Sequence, residues 1–300
     1  MPRLLLDRQS RVTVFLKLVA RLPLPILHGL GILLGWVVYL APGRHSERMR
    51  TNIYSSGLCK DARACRRLLR QSIGESGKAI MEVIVFWLRP YEKAMKLVKG
   101  TTGWEHIEAA LADGKGLILF GPHLGGFEIA SQYFAQYHPF TAMYKPPRNP
   151  RLGKLMLAGR QRGLCKLVPA DKSGVRALLD ALRRGEGIGM LPDQVASKGD
   201  GVWAPFFGRQ AFTPTLVASL QRKTGAAGFF GAAERLSWGR GFHIHILPMH
   251  TALPEDKTAA ATLINQYSEE MIRRFPAQYL WIYNRYKRPG GAPPPPDTAS

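Results

Sequence analysis

One short stretch limits the topologies open to this chain. The apolar run Leu117-Ile118-Leu119-Phe120 meets Gly121-Pro122 and then His123-Leu124-Gly125-Gly126-Phe127-Glu128. Four apolar residues ended by Gly-Pro read as a buried strand and a turn, and the residues beyond read as the start of a helix. A strand that feeds directly into a helix is the building unit of an α/β fold, which places its chemistry at the carboxyl ends of strands. A histidine and a carboxylate stand five residues apart at that place. On a continuous helix positions i and i+5 lie about 140° apart and share no face. With His123 in the turn and Glu128 in the helix, the imidazole is expected to fold back onto the carboxylate. A carboxylate that holds one ring N–H leaves the other nitrogen free as a base. The N–H groups of Gly125 and Gly126, at the helix start, are expected to stabilise a developing oxyanion.

The rest of the chain alternates in the same manner. Helices are expected near 61–72 and 74–88, over Trp104–Asp113, from Ser173 (as its cap) to Arg184, from Thr213-Pro214 to Gly225, and over 257–275. Strands are expected at Gly187–Pro192, Ala226–Ala233 and Phe242–Ile246, and Tyr279–Tyr286 as a strand or a helix. The fold class is α/β: a mixed, partly parallel sheet flanked by helices, behind an N-terminal hydrophobic helical anchor. Three segments result: an anchor over 1–45, a catalytic domain over 46–288, and a disordered Pro-rich tail over 289–300.

Leu24–Ala41 is an 18-residue stretch whose only strongly polar side chain is His28. That is marginal for a span, which needs roughly 20 residues. Before it, Val12–Leu22 is amphipathic and basic, so the two together suit a membrane anchor, with a buried pair of core helices as the alternative. Charge points the same way: 42 Lys and Arg against 21 Asp and Glu give a net charge of +21. The partner of such a chain is anionic. A nucleic-acid binder is disfavoured, because the aromatic residues do not interleave with the basic ones and the apolar segment has no place in it. Cys59, Cys65 and Cys165 lack Cys-x-x-Cys spacing and are expected as reduced thiols.

Lys145, Arg148, Arg160 and Arg162 are candidate phosphate ligands, the Arg forks suiting phosphate best. Asp193 and Gln194 either shape the site or brace the loop after their strand. Phe206-Phe207 line a groove or belong to the core. His243-x-His245 has no Cys or carboxylate at ligand spacing, so no metal is expected, and no cofactor.

Phe120-Gly121-Pro122-His123 through Glu128 resembles the H-x4-(D/E) block of bacterial lipid acyltransferases. Tyr144-Lys145-Pro146-Pro147-Arg148-Asn149-Pro150 with Arg160 is similar to a second block, with Lys145 where that family usually has Arg. Leu191-Pro192-Asp193-Gln194 and Ala204-Pro205-Phe206-Phe207-Gly208 resemble a third, and Thr213-Pro214 follows as expected. Trp281–Arg288 resembles the closing block, with Tyr283-Asn284 replacing His-Arg. In order and spacing these blocks are similar to the late (secondary) acyltransferases of lipid A biosynthesis, lauroyl/myristoyl type, over nearly the whole chain.

The resemblance implies acyl transfer from the thioester of an acyl carrier protein to a hydroxyl of a phosphorylated glucosamine lipid. It implies His123 as base, Glu128 as its orienter and no covalent intermediate. It also implies a catalytic domain facing the cytoplasm at the inner membrane, among membrane lipids. The alternative keeps the dyad but acylates another glycolipid or a lysophospholipid from acyl-CoA.

Overall fold

The computed structural model describes residues 8–147, 149–197 and 199–296. Along the chain run α1 (Arg8–Val19), α2 (Leu24–Leu40), α3 (Arg44–Tyr54), α4 (Ala62–Leu88), α5 (Tyr91–Met95), β1 (Val98–Thr102), α6 (Trp104–Ala112), β2 (Leu117–Phe120) and α7 (Phe127–Phe134). They are followed by β3 (Phe140–Tyr144), α8 (Pro150–Arg160), β4 (Cys165–Pro169), α9 (Lys172–Arg183), β5 (Gly187–Met190), β6 (Gly201–Phe206) and β7 (Arg209–Pro214). Then come α10 (Leu216–Thr224), β8 (Ala227–Leu236), β9 (Gly241–Pro248) and α11 (Lys257–Arg274).

Seven strands form one sheet in the order β1-β9-β8-β2-β5-β3-β4, and β6-β7 form a separate hairpin. Only β8–β9 pair antiparallel within the large sheet. The strand–helix alternation predicts a mixed, partly parallel sheet flanked by helices, and the sheet formed is mixed and mostly parallel. β2 lies at its centre with Leu117 and Ile118 fully buried, as apolar runs in parallel sheets are.

Several elements differ from expectation for identifiable reasons. Helices 61–72 and 74–88 are one helix, α4, capped by the Asp61 carboxylate, which accepts the Ala64 N–H at 2.7 Å. The glycines at 74 and 77 do not break it, because they face a neighbouring helix closely. The cap of α9 is Asp171 rather than Ser173, accepting the Ser173 and Gly174 N–H groups at 2.8 and 3.1 Å. Thr213-Pro214 ends β7, and α10 starts only at Leu216. The Phe206-Phe207-Gly208 stretch turns the β6–β7 hairpin, with Phe207 and Gly208 both at positive φ, as a two-residue hairpin turn demands. Both phenylalanines are core residues. Residues 279–286 are neither strand nor helix, yet Trp281 and Arg285 are buried. Of the tail, Ala292 is buried against Trp203 and Phe212, and residues 297–300 lie outside the described residues. Cys59 and Cys65 are joined in a disulfide with Cα atoms 5.3 Å apart, which corrects the expectation of free thiols there; Cys165 is the buried free cysteine.

The N-terminal segment is not a detached anchor. Among the described residues no single helix is long and apolar enough to cross a membrane; α2 and α3 reach that composition only together, bent by 100°. One face of α2 packs on α4, where Gly31 and Gly35 meet Gly77 and its neighbours backbone to backbone. A Cβ on Gly77 would collide with the Gly31 carbonyl, and one on Gly31 would stand 2.7 Å from the Lys78 Cα. Gly77→Ala is therefore expected to cost about 1–3 kcal/mol through overpacking, read as a lower urea midpoint at unchanged slope.

Beneath this crossing lies a buried ionic network. The Arg235 guanidinium of β8 donates to Glu82 (2.5 and 2.6 Å), to Glu75 (2.5 Å) and to the Gly125 carbonyl (3.2 Å). His28 of α2 joins Glu82 at 2.8 Å. Burial alone would raise the Glu82 carboxyl, but the charge and hydrogen bonds of Arg235 and His28 hold it below its ordinary value. A carboxyl depressed in the folded state stabilises the protein above its unfolded pKa, about 4.3, and loses that contribution as pH falls through the folded value. The urea midpoint is accordingly expected to be lower at pH 3 than at pH 7.

Candidate active site

β2 and β5 are parallel neighbours with Phe120 paired to Met190. From that pair two tails of equal length leave the sheet: Gly121-Pro122-His123 and Leu191-Pro192-Asp193. Equal tails from an aligned register bring their third residues side by side. The Asp193 carboxylate accepts the His123 ring Nδ1–H at 2.7 Å and the His123 backbone N–H at 2.9 Å. Both oxygens of one buried carboxylate thus hold one histidine. With the proton on Nδ1, Nε2 carries the free lone pair and accepts from the Gln194 amide at 3.2 Å. Burial pushes the Asp193 carboxyl up, and the His123 charge and hydrogen bonds, with Arg285, more than offset this, so it stays below the usual range.

Glu128 stands in the first turn of α7, and His123 lies outside that helix, in the turn before it. The expected fold-back of one onto the other is not formed. The Glu128 carboxylate accepts instead from both arms of the Arg160 guanidinium, through Nε at 2.7 Å and a closer Nη2, and from the Trp87 indole at 3.1 Å. The physical reason is charge: a nearly buried carboxylate takes the fixed cation at the end of α8 ahead of an imidazole already held by Asp193. Phe127 fills the place beside the imidazole, ring centres 5.0 Å apart.

The expected oxyanion donors are also spent. The Gly125 N–H donates to the Gln278 carbonyl (3.0 Å) and the Gly126 N–H to the Ala233 carbonyl (2.8 Å). These bonds, with that from the Leu280 N–H to the His123 carbonyl (3.1 Å), tie the histidine turn to the closing segment. Tyr283 steadies the other turn, its hydroxyl accepting the Val195 N–H at 3.1 Å. Arg285 is a brace, bonded to the Phe212 carbonyl, Thr213 and Asn265. Arg162 is not a free phosphate ligand: it donates to the Arg89 carbonyl at 2.7 Å and, more closely, to that of Trp87, closing the end of α4. Lys145 is exposed at the cavity, with no ionic partner among the described residues. Arg148 lies outside the described residues. His243 and His245 pair with Thr102 (2.8 Å) and Glu234 (2.9 Å).

A cavity of about 370 Å³ opens beside His123. Leu119, Ala142, Leu167, Met190, Ala233 and Ile244 give it apolar walls, and His123, Glu128, Lys145, Arg160 and Gln194 its polar lining. The arrangement can bind a hydrocarbon chain next to a base whose tautomer is fixed, with a guanidinium close by.

A family model for bacterial lipid A biosynthesis acyltransferases matches residues 3–288. The chain belongs to that family. It is 27% identical to the lipid A biosynthesis lauroyltransferase of Escherichia coli K12 over 281 residues, 93% of this chain and 91% of that protein. It is 27% identical to the palmitoleoyltransferase of the same organism over 278 residues, 92% and 90% of the two chains. A phosphatidylinositol mannoside acyltransferase of Mycobacterium tuberculosis is 24% identical over 248 residues, 80% of this chain and 77% of that protein. Residue reading left Asp193 between shaping the site and bracing its loop, and did not pair it with His123. Its signal was present: a Pro followed by a polar residue, three places beyond each of two strands that pair in register.

Proposed function

We propose that this protein transfers a fatty acyl chain from an acyl-carrier-protein thioester to a hydroxyl of a phosphorylated lipid A precursor, at the inner membrane with the site facing the cytoplasm. The observation that carries this is the Asp193 clamp on His123 beside an apolar cavity. In the reaction, the acceptor hydroxyl displaces the Gln194 amide from Nε2. Its proton passes to Nε2 as its oxygen attacks the thioester carbonyl. The tetrahedral intermediate collapses, expels the carrier's thiolate, and that sulfur takes the proton back from the imidazolium. Asp193 holds the tautomer and stabilises the imidazolium, so the orienting role first assigned to Glu128 falls to Asp193. General-base catalysis of this kind is worth about 10²–10⁴ in rate.

Glu128 fixes Arg160, and Arg160 with Lys145 and Arg148 receives the acceptor phosphate. The displaced Gln194 amide then serves as a donor to the developing oxyanion. The mechanism uses no cofactor and no protein nucleophile; burial pushes the Cys165 thiol up to about 11, which keeps it protonated.

The test is mass spectrometry of lipids after purified protein is offered a phosphorylated lipid A precursor with acyl-carrier-protein donors of several chain lengths. A mass increase of one acyl group, lost in His123→Ala, is the expected result. The match to mannoside acyltransferases supports a second reading, acylation of another glycolipid. Transfer to a mannosylated phosphatidylinositol but not to the lipid A precursor would favour it.

A further inference from the structure

α2 is apolar on two opposite sides. Leu24, Leu27, Gly31 and Gly35 are buried against the domain. Ile26, Leu30, Leu33, Val37 and Leu40 are exposed, Leu33 and Val37 at 65% and Leu40 at 74%. Their spacing of four, three, four and three residues makes one stripe along the helix, roughly 21 Å long. A second feature meets this stripe at its start. The β8–β9 connection, Ser237–Gly239, presents Trp238 at 88% exposure and in a left-handed conformation, φ +61°. A bulky residue at such a φ is uncommon and strained. The turn is fixed in place: a Cβ on Gly239 would stand 2.5 Å from the Pro25 nitrogen, just before the stripe. Arg240 closes the turn by donating to the Ser237 carbonyl and hydroxyl. Exposed cations stand at both ends: Arg21 and Arg240 near the start of α2, Arg44 beyond its end.

We infer that α2 lies flat in the membrane interface and that the β8–β9 turn inserts Trp238 beside it as a second anchor. The partner surface is a bilayer containing anionic phospholipid, to which the cations at the two ends of the stripe are complementary. A span is excluded by what backs the helix. Its inner face is locked to α4 by glycine contacts and by His28 in the network of Glu82, Glu75 and Arg235, and that charged layer cannot follow α2 into hydrocarbon. An indole suits the interface, with an apolar body and a polar N–H. The inference rests on the membrane reading above.

The test uses the full chain with vesicles of phosphatidylethanolamine and phosphatidylglycerol. Trp238→Cys and Leu33→Cys each carry an environment-sensitive fluorophore, and depth is read with lipids quenched at graded positions. Both labels are expected at a similar shallow depth, about 5–10 Å below the headgroups. Trp238→Ala is expected to weaken vesicle binding about tenfold, the effect of one large apolar side chain left unburied. A Leu33 label at the bilayer centre would overturn the inference. So would tight vesicle binding with the Trp238 label in water and no loss in Trp238→Ala. No vesicle binding at all would instead remove the membrane reading on which the inference stands.

Discussion

Asp193→Asn is expected to lower kcat for acyl transfer by about 10³–10⁴ while leaving the fold intact, because a neutral amide cannot hold the reactive tautomer. In the native chain Asp193 accepts both the ring Nδ1–H and the backbone N–H of His123. An asparagine keeps one acceptor oxygen for the backbone N–H and turns its NH₂ toward Nδ1. The ring proton then moves to Nε2, and the nitrogen that must accept the hydroxyl proton has no lone pair. Single-turnover transfer and circular dichroism together separate this from unfolding. His123→Ala/Asp193→Asn should lose no more than His123→Ala alone, since the two residues act as one unit. Glu128→Gln gives the contrast. It releases Arg160 but leaves the His123–Asp193 bonds, so the loss should fall mainly on KM for the phosphorylated acceptor. A fully active Asp193→Asn beside an inactive Glu128→Gln would restore Glu128 as the orienter.

The largest effect on stability is expected from Arg235→Ala. Removing this guanidinium leaves Glu82, which is 2% exposed, with His28 as its remaining side-chain partner among the described residues, and leaves the Gly125 carbonyl without its side-chain donor. Breaking a buried ion pair from one side costs about 3–5 kcal/mol. For a domain of this size that lowers the melting temperature by about 10 °C. Replacing Arg235 and Glu82 together by apolar residues of similar volume should recover part of the loss, because no charge is then left alone. A Tm within 2–3 °C of the native value for Arg235→Ala, roughly the shift from 1 kcal/mol, would show that water reaches the network and that it is not the buried unit described.

Where one local rule decides, the sequence predicted the structure. Leu117–Phe120 followed by Gly121-Pro122 is a strand and a turn because the apolar run and the Gly-Pro break decide it locally. Helix α11 follows its apolar period for the same reason. The misreadings arise where a distant partner decides. Residues 61–72 and 74–88 read as two helices until α2 is seen crossing Gly74 and Gly77. Thr213-Pro214 looks like a helix start until β6 pairs with it. In the site, His123 was legible from its place after the strand. Its partner was not, since a neighbour five residues away seemed nearer than one 70 residues away. β5 reverses that order by lying in register beside β2. Glu128 was correctly placed in the helix, but Arg160 claims it, and only the packing of α8 brings that cation within reach.

The crossing of α2 over α4 has a practical consequence. A shortened chain that begins after residue 45 would not be the enzyme without its tether. It would leave Glu82 without His28, open a trench along Gly77, and uncover the Leu27 side of the core. The Arg235 that loses this support is the residue touching the Gly125 carbonyl, two positions from His123. On the membrane reading proposed above, solubilising this protein for assay means covering the outer stripe of α2 and Trp238 with detergent or with polar substitutions, and not cutting the helix away.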